Sequence, residues 1–245
     1  MKRNWIVTGN VARLNTAYQA LRLRDPGVDG MGLVHGFTGA GKTTAMTWLA
    51  NKYNACYVRA NATWTASAMT RAIAQELGIL PQHGAAKNFE AIRERLTQTG
   101  RSLVIDEADY LLKKLEMVEI VRDLHDETAV PILLVGMSGH DAQGIERQIT
   151  SRPKFKQLAR RILHWVEFGV ISLDDARLLA ATNCEVAVED DLLDWALRQC
   201  HGSIGLLTVG LSRIESAARA MGLNRIGLEE WGDRALHLGD RGGVV

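Results

Sequence analysis

The segment from Gly36 to Thr43 has the residue types and the spacing of a phosphate-binding loop: four residues separate Gly36 from Gly41, and Lys42-Thr43 follows. Glycine lets the backbone turn tightly and aim its N–H groups at an anion, and a following helix adds its positive end. In this motif Lys42 reaches the β- and γ-phosphates of a nucleoside triphosphate, and the Thr43 hydroxyl binds Mg²⁺. The predicted nucleotide-binding residues are Gly36, Phe37, Thr38, Gly39, Ala40, Gly41, Lys42, Thr43 and Thr44.

Two carboxylates, Asp106 and Glu107, directly follow an apolar run at 103–105. Such a run predicts a buried strand of a parallel sheet, and α/β sheets bind ligands at the carboxyl ends of their strands. We expect Asp106 to hold Mg²⁺ through water, beside Thr43. We expect Glu107 to polarise the attacking water, because phosphoryl transfer needs an oriented nucleophile. The two motifs together predict a protein that binds and hydrolyses a nucleoside triphosphate.

Strand-like and helix-like segments alternate around both motifs, which predicts an α/β fold with a parallel sheet between helices. His35, in the strand before the loop, is expected to be a packed residue. Beyond residue 168 the pattern changes to helices, predicted at about 189–200, 204–221 and 228–237, after a capping-box start at Ser172. We therefore expect a P-loop ATPase core at 1–168 and a small all-helical lid at 169–245, with a loose end at 239–245.

The composition excludes several classes of protein. A net charge of +1 gives no global basic field, so any nucleic-acid binding must come from a local patch. Three widely spaced cysteines form no disulfide or metal framework, which favours a reducing, cytoplasmic location. The sequence shows neither a signal peptide nor a membrane span, so no membrane partner is expected.

The order of these blocks resembles the AAA+ ATPases: a phosphate loop, an Asp-Glu strand, a further apolar strand and a helical lid. Within that superfamily it looks like the transposition-regulator branch, which contains the phage Mu B protein and the TnsC-type and TniB-type target-selection ATPases. The segment at 8–13 resembles the opening helix of this branch, and the resemblance extends over about residues 5–220. It implies ATP and Mg²⁺ as the cofactors.

The resemblance also implies two further catalytic groups. A polar residue after the strand at 130–136 senses the γ-phosphate in AAA+ proteins, and Ser138 is nearest that position. An arginine just before the strand leading to the lid completes the site of a neighbouring subunit. Arg160 or Arg161 is favoured for this role, with Arg152 in reserve. The predicted catalytic set is Glu107, Lys42, Arg160, Arg161 and Ser138.

In the family, a lid arginine that reaches the nucleotide follows a Gly-x-x motif at a helix start. The motif Gly202-Ser203-Ile204-Gly205 has glycine at the expected place, but Arg213 lies two turns further on and is expected to miss the nucleotide. We therefore expect a weak or absent lid contact with ATP and a slow ATPase stimulated by DNA or a partner. The branch assembles as a filament or ring on double-stranded DNA without sequence preference and recruits a transposase in the bacterial cytoplasm. Its DNA-facing elements correspond to residues 59–95, where the candidates are Arg59, Thr63, Arg71, Lys87 and Arg93.

The sequence also allows two alternative functions. One is a helicase-loader type of ATPase, like the insertion-sequence ATPases, which would bind single-stranded DNA or a helicase. The other is a nucleotide-gated scaffold that binds protein partners and turns over almost no ATP. An intact Glu107 argues against the scaffold, because that carboxylate is the expected base for hydrolysis.

Overall fold

The computed structural model describes residues 1–2, 4–139 and 144–237, in two compact units. One unit comprises residues 13–37 and 42–168 and is called the sheet unit below. The other, called the helical unit, comprises residues 1–12, 38–41 and the chain from Gly169 onward. The end of the chain at 239–245, predicted to be loose, lies outside the described residues. The predicted division at residue 168 into an ATPase core and a lid stays a prediction.

The sheet unit is built on five parallel strands in the order β2-β3-β4-β1-β5. Their carboxyl ends therefore lie at one edge of the sheet, which is where the predicted phosphate loop and the acidic pair follow their strands. The strands are β1 (Met31–Gly36), β2 (Cys56–Arg59), β3 (Leu103–Asp106), β4 (Ile132–Met137) and β5 (Ile162–Phe168).

Helices connect and flank these strands. The order of elements gives each parallel pair the helical crossover that it requires. Two 3₁₀ helices, at Ala108–Lys113 and Pro153–Phe155, complete the described part of the unit. The α-helices are α1 (Gly9–Leu23, of which residues 13–23 belong to this unit), α2 (Lys42–Tyr53), α3 (Ala66–Glu76), α4 (Ala85–Thr99), α5 (Leu115–Thr128), α6 (Ile145–Ser151) and α7 (Lys156–Arg161).

The core of the sheet unit explains why the strands read as continuous apolar runs. All four residues of β3 are buried, because helices cover both faces of a central parallel strand. Leu33, Ile105 and Leu134, from three neighbouring strands, pack in one cluster with Ile73 of α3 and Val121 of α5. This packing holds the carboxyl ends of β1, β3 and β4 on a rigid support.

The helical unit has its own core around the fully buried Trp231 and Leu211. Its helices are α8 (Leu173–Asn183), α9 (Asp190–Gln199), α10 (Ile204–Ala220) and α11 (Leu228–Trp231). The predicted capping box at the start of α8 is confirmed: the Ser172 hydroxyl accepts the Asp175 N–H, and the Asp175 carboxylate accepts the Ser172 N–H.

Two predictions about this unit are corrected. The last predicted helix, 228–237, ends at Trp231, because Gly232 takes a positive φ of 59°. The unit is also not all-helical, since β6 (Ala187–Val188) and β7 (Arg225–Ile226) form a short parallel pair. The α/β class, the parallel sheet and the helical C-terminal part are confirmed. No helix within the described residues is long and apolar enough to cross a membrane.

Candidate nucleotide site

The predicted phosphate loop joins the end of β1 to the start of α2. Gly39 and Gly41 both have φ of 88°, a conformation that costs glycine little and other residues considerably more. Gly36 needs glycine for another reason. A Cβ there would lie 2.4 Å from the carbonyl oxygen of Phe168 in the neighbouring strand β5. Phe37, Thr38 and Ala40 form the turn between these glycines, and Thr44 lies in the first turn of α2.

The ammonium of Lys42 is folded back onto the loop. Its Nζ donates to the carbonyl oxygens of Gly36, at 2.6 Å, and Phe37, at 3.0 Å. Burial lowers the pKa of Lys42, and the carboxylates of Asp106 and Asp109 oppose that shift. A partly desolvated ammonium that donates to neutral carbonyls has a strong tendency to bind an anion.

The two residues predicted to hold the metal lie together. The Thr43 hydroxyl donates to Oδ2 of Asp106 at 2.8 Å, although 63 positions separate them in the chain. Asp106 is 2% exposed, and its Oδ1 accepts the N–H of Glu107 at 2.9 Å. One hydroxyl and one carboxylate are hard oxygen donors of the kind that Mg²⁺ takes when phosphates and waters supply its other ligands. The donor set therefore fits the predicted ion.

Tyr57 of β2 joins this pair, and the sequence reasoning missed it. Its hydroxyl donates to the same Oδ2 of Asp106, at 2.8 Å. Burial, followed by the hydrogen bond to the Asp106 carboxylate and that group's charge, raises the pKa of Tyr57, so the phenol stays protonated and acts as a donor. The alternation of side chains along a strand could have indicated this contact. Tyr57 and Arg59 lie on the same face of β2, and Arg59 pairs with Asp106 in the neighbouring strand, so Tyr57 lies on the same face as Asp106.

Glu107 stands just beyond the strand in a left-handed backbone conformation, with φ of 56°. This region is unfavourable for a residue with a side chain and is concentrated at functional sites. One Glu107 carboxylate oxygen lies 2.9 Å from the Arg59 guanidinium, in a half-exposed ion pair. The predicted base is therefore held by an arginine from the neighbouring strand.

Ser138, the predicted sensor, follows β4 at the same edge of the sheet. Its N–H donates to the Gly36 carbonyl at 3.0 Å, and its hydroxyl lies 2.7 Å from Nδ1 of His35. Asp109, which the sequence reasoning also missed, accepts the Met137 N–H at 3.0 Å. Burial raises the pKa of Asp109. These bonds fix the end of β4 against the phosphate loop and the acidic turn.

The arginines before β5 differ in their surroundings. Arg161 makes two hydrogen bonds to the carboxylate of Asp126, at 3.0 and 2.7 Å, and this pairing raises the pKa of the Arg161 guanidinium. Arg160 is exposed, and the structure records no ion pair for it among the described residues. Arg152 is also exposed, at the start of the second 3₁₀ helix. Of the two favoured arginines, Arg160 has the guanidinium open to another molecule.

The five DNA candidates do not form one patch of open charge. Arg59 is held by Glu107, Arg93 pairs with Glu90 and Glu127, and the Thr63 hydroxyl bonds to Asn61 in a local turn. Arg71 and Lys87 lie exposed on α3 and α4, and no ion pair is recorded for either within the described part of the chain.

In the helical unit, the start of α10 contacts the tip of the loop. The Gly39 carbonyl oxygen accepts the Gly205 N–H at 3.1 Å and the Ser203 hydroxyl at 3.2 Å. Gly205 is the residue at the position where the resemblance expects a lid arginine. Gly205 contacts Gly39 through its backbone N–H, and whether the lid has a functional arginine stays a prediction.

Residues 25–143 match the model of a protein family described as an AAA domain. This segment is similar to AAA domains. It contains the phosphate loop, the acidic pair and Ser138, so the family match covers most of the residues assembled above. No curated protein matches the chain significantly.

Solved structures with the same fold include the Orc1 protein of Aeropyrum pernix in complex with DNA, with a TM-score of 0.62 and 16% identity over 92% of this chain. Cdc6p of Pyrobaculum aerophilum has a TM-score of 0.62 and 19% identity over 92%. RuvB of Thermotoga maritima, a Holliday junction branch migration motor, has a TM-score of 0.54 and 19% identity over 90%. This chain spans 64%, 65% and 65% of the lengths of these three chains, in the order given.

Proposed function

We propose that this chain is an AAA+ ATPase that assembles on double-stranded DNA with ATP and regulates transposition in the bacterial cytoplasm. ATP binding would favour a filament or ring on DNA, the assembly would recruit and stimulate a transposase, and hydrolysis would disassemble it. The observation that carries the ATPase part is the meeting of Thr43, Asp106 and Lys42 at the carboxyl edge of the sheet. The transposition part is supported by the resemblance described above.

Each group of residues in the site would have a separate role in binding and hydrolysing ATP. The loop N–H groups and the start of α2 would bind the phosphates, and Lys42 would leave the Gly36 and Phe37 carbonyls to reach them. Thr43 and Asp106 would hold Mg²⁺, which neutralises phosphate charge when bound. Glu107 would accept a proton from the attacking water, and Ser138 would donate to the γ-phosphate.

The ion pair between Arg59 and Glu107 leads to one prediction. The Glu107 carboxylate must leave the Arg59 guanidinium to reach the attacking water, so Arg59→Ala should raise ATP turnover in the absence of DNA. The pair is half-exposed and therefore weak, which limits the increase to about two- to fivefold. Steady-state phosphate release measures it, with Arg71→Ala as the control for loss of an unpaired surface charge. A lower rate in Arg59→Ala alone would mean that Arg59 supports the base instead of restraining it.

The open guanidinium of Arg160 leads to a second prediction. If Arg160 acts on the site of a neighbouring subunit, Arg160→Ala should lower DNA-stimulated turnover by about 10³-fold, the usual effect of such an arginine. Arg161→Ala should lower turnover much less, because Asp126 already binds that guanidinium.

A mixing experiment separates a role between subunits from one within a subunit. Glu107→Gln subunits lack the base but keep Arg160, whereas Arg160→Ala subunits keep the base. Equal amounts of the two inactive variants should recover part of the wild-type rate. No recovery, with both variants still assembling on DNA, would contradict a role of Arg160 between subunits.

Two of the similar structures support DNA binding by this chain. One is an Orc1 protein in complex with DNA, and the other is RuvB, a Holliday junction branch migration motor. Arg71 and Lys87 are the candidates with open charges, and a near-neutral chain can bind DNA firmly only if many subunits add their few phosphate contacts. The expected binding is therefore salt-dependent and independent of sequence.

Fluorescence anisotropy with duplex and single-stranded oligonucleotides tests the choice of partner. The proposal predicts binding to long duplex DNA with ATP and much weaker binding with ADP or to single strands. A preference for single strands would favour the helicase-loader type. Neither binding nor turnover, with ATP still bound, would favour the protein scaffold.

A further inference from the structure

Three hydrogen bonds from described residues occupy most of the acceptor positions of the Asp106 carboxylate. An ionised carboxylate can accept about four hydrogen bonds, two on each oxygen. Oδ2 accepts two hydroxyl donors, Thr43 and Tyr57, each at 2.8 Å. Oδ1 accepts the Glu107 N–H at 2.9 Å. Among the residues that the structure describes, these bonds leave one direction, on Oδ1, for a further donor.

Tyr57 holds this carboxylate from a rigid position. β2 and β3 pair in parallel register, with Tyr57 beside Val104 and Arg59 beside Asp106. The Tyr57 side chain therefore reaches diagonally along one face of the sheet to Asp106, two positions further on. Asp106 itself is 2% exposed, so water cannot readily replace a lost donor.

From this arrangement we propose that Tyr57 is a positioning residue that keeps Asp106 as a water-mediated partner of the metal and thereby sets the preference for Mg²⁺. The proposal rests on the proposed function, because it concerns the same nucleotide site. It assigns Tyr57 no contact with nucleotide or metal. Its role is exerted through the orientation of Asp106.

The physical reason is that divalent cations differ in how readily they lose the water molecules bound to them. Mg²⁺ gives up water reluctantly and is usually bound with several waters retained. A carboxylate whose Oδ2 is filled and whose Oδ1 has one free direction is suited to accept a hydrogen bond from such a water. Loss of the Tyr57 hydroxyl would free one direction on Oδ2. Asp106 could then bind directly a cation that exchanges its waters more readily, such as Mn²⁺.

The test is Mn²⁺ binding to the full chain with a non-hydrolysable ATP analogue, followed by electron paramagnetic resonance while Mg²⁺ is added as competitor. Tyr57→Phe removes one oxygen and keeps the ring. We expect it to require about tenfold more Mg²⁺ than wild type to displace half of the Mn²⁺, the effect of one hydrogen bond to a buried charged group. This readout does not depend on hydrolysis.

Tyr53→Phe is the matched control. The Tyr53 hydroxyl donates to Asn15 at 2.7 Å on the surface between α1 and α2, so its removal costs a similar bond away from Asp106. We expect the wild-type displacement ratio in this variant, and thermal unfolding compares the stability of both variants. An equal shift in the two variants would overturn the proposal, since it would reflect a general loss of stability.

The remaining outcomes separate this proposal from the function on which it rests. If wild type binds Mn²⁺ with the analogue and Tyr57→Phe gives the same ratio as wild type, the positioning role is wrong and the nucleotide site stands. If wild type shows no nucleotide-dependent Mn²⁺ binding, the metal site itself is wrong, and the proposed ATPase function fails with it.

Discussion

Lys42→Ala should abolish nucleotide binding and DNA association together. The wild-type ammonium is half-buried, and within the described residues its hydrogen-bond acceptors are the Gly36 and Phe37 carbonyls, so a bound phosphate would give it a much stronger partner. Losing two charge-assisted hydrogen bonds lowers affinity by about 100-fold or more. Fluorescent ATP-analogue binding measures the first effect, and duplex-DNA anisotropy with ATP measures the second.

Lys52→Ala is the control for this prediction, because it makes the same change in the last turn of the same helix α2. The Lys52 ammonium contacts Asn15 and the Trp48 and Tyr53 rings, away from the loop. Both binding constants should stay near wild type in this variant. ATP-dependent DNA binding at the wild-type level in Lys42→Ala would contradict the assignment of the phosphate loop.

Glu107→Gln should bind ATP and fail to hydrolyse it. The amide keeps the size of the side chain but cannot accept the proton of the attacking water, and a general base contributes about 10²- to 10⁴-fold to such a rate. Phosphate release should fall by that factor while the ATP affinity stays near wild type. Because hydrolysis is the proposed route of disassembly, the variant should also remain on DNA after free ATP is removed.

Glu116→Gln, on the exposed start of α5, controls for the loss of a negative charge. It should hydrolyse ATP and leave DNA at wild-type rates. Wild-type turnover in Glu107→Gln would show that the base lies elsewhere. Asp109 would then be the next residue to test, since it is the other carboxylate of this turn, is half-buried and interacts electrostatically with Lys42.

The sequence was sufficient for the parts of the molecule that depend on local pattern. The phosphate loop needs glycine at defined spacing, and the buried strand β3 needs an unbroken apolar run, so both could be predicted without a structure. The predicted helix at 228–237 is too long, because Gly232 has a positive φ and ends the helix at Trp231. The pair β6–β7 was missed because strands of two residues show no periodicity.

The rest of the site depends on which strands become neighbours. Tyr57 reaches Asp106, and Arg59 reaches Glu107, only because β2 lies beside β3 in a particular register. The anchoring of β4 by Asp109 likewise depends on the fold of the turn after β3. Sequence spacing does not determine such pairings, because a shift of one residue would turn these side chains to the other face.

Negative-stain electron microscopy with long duplex DNA tests the central claim, ATP-dependent assembly on DNA, most directly. The wild-type protein should form regular assemblies along the DNA with ATP or a non-hydrolysable analogue. The DNA should be bare without nucleotide and with Lys42→Ala. Bare DNA in the presence of the analogue, under conditions where the protein binds that analogue, would contradict the account.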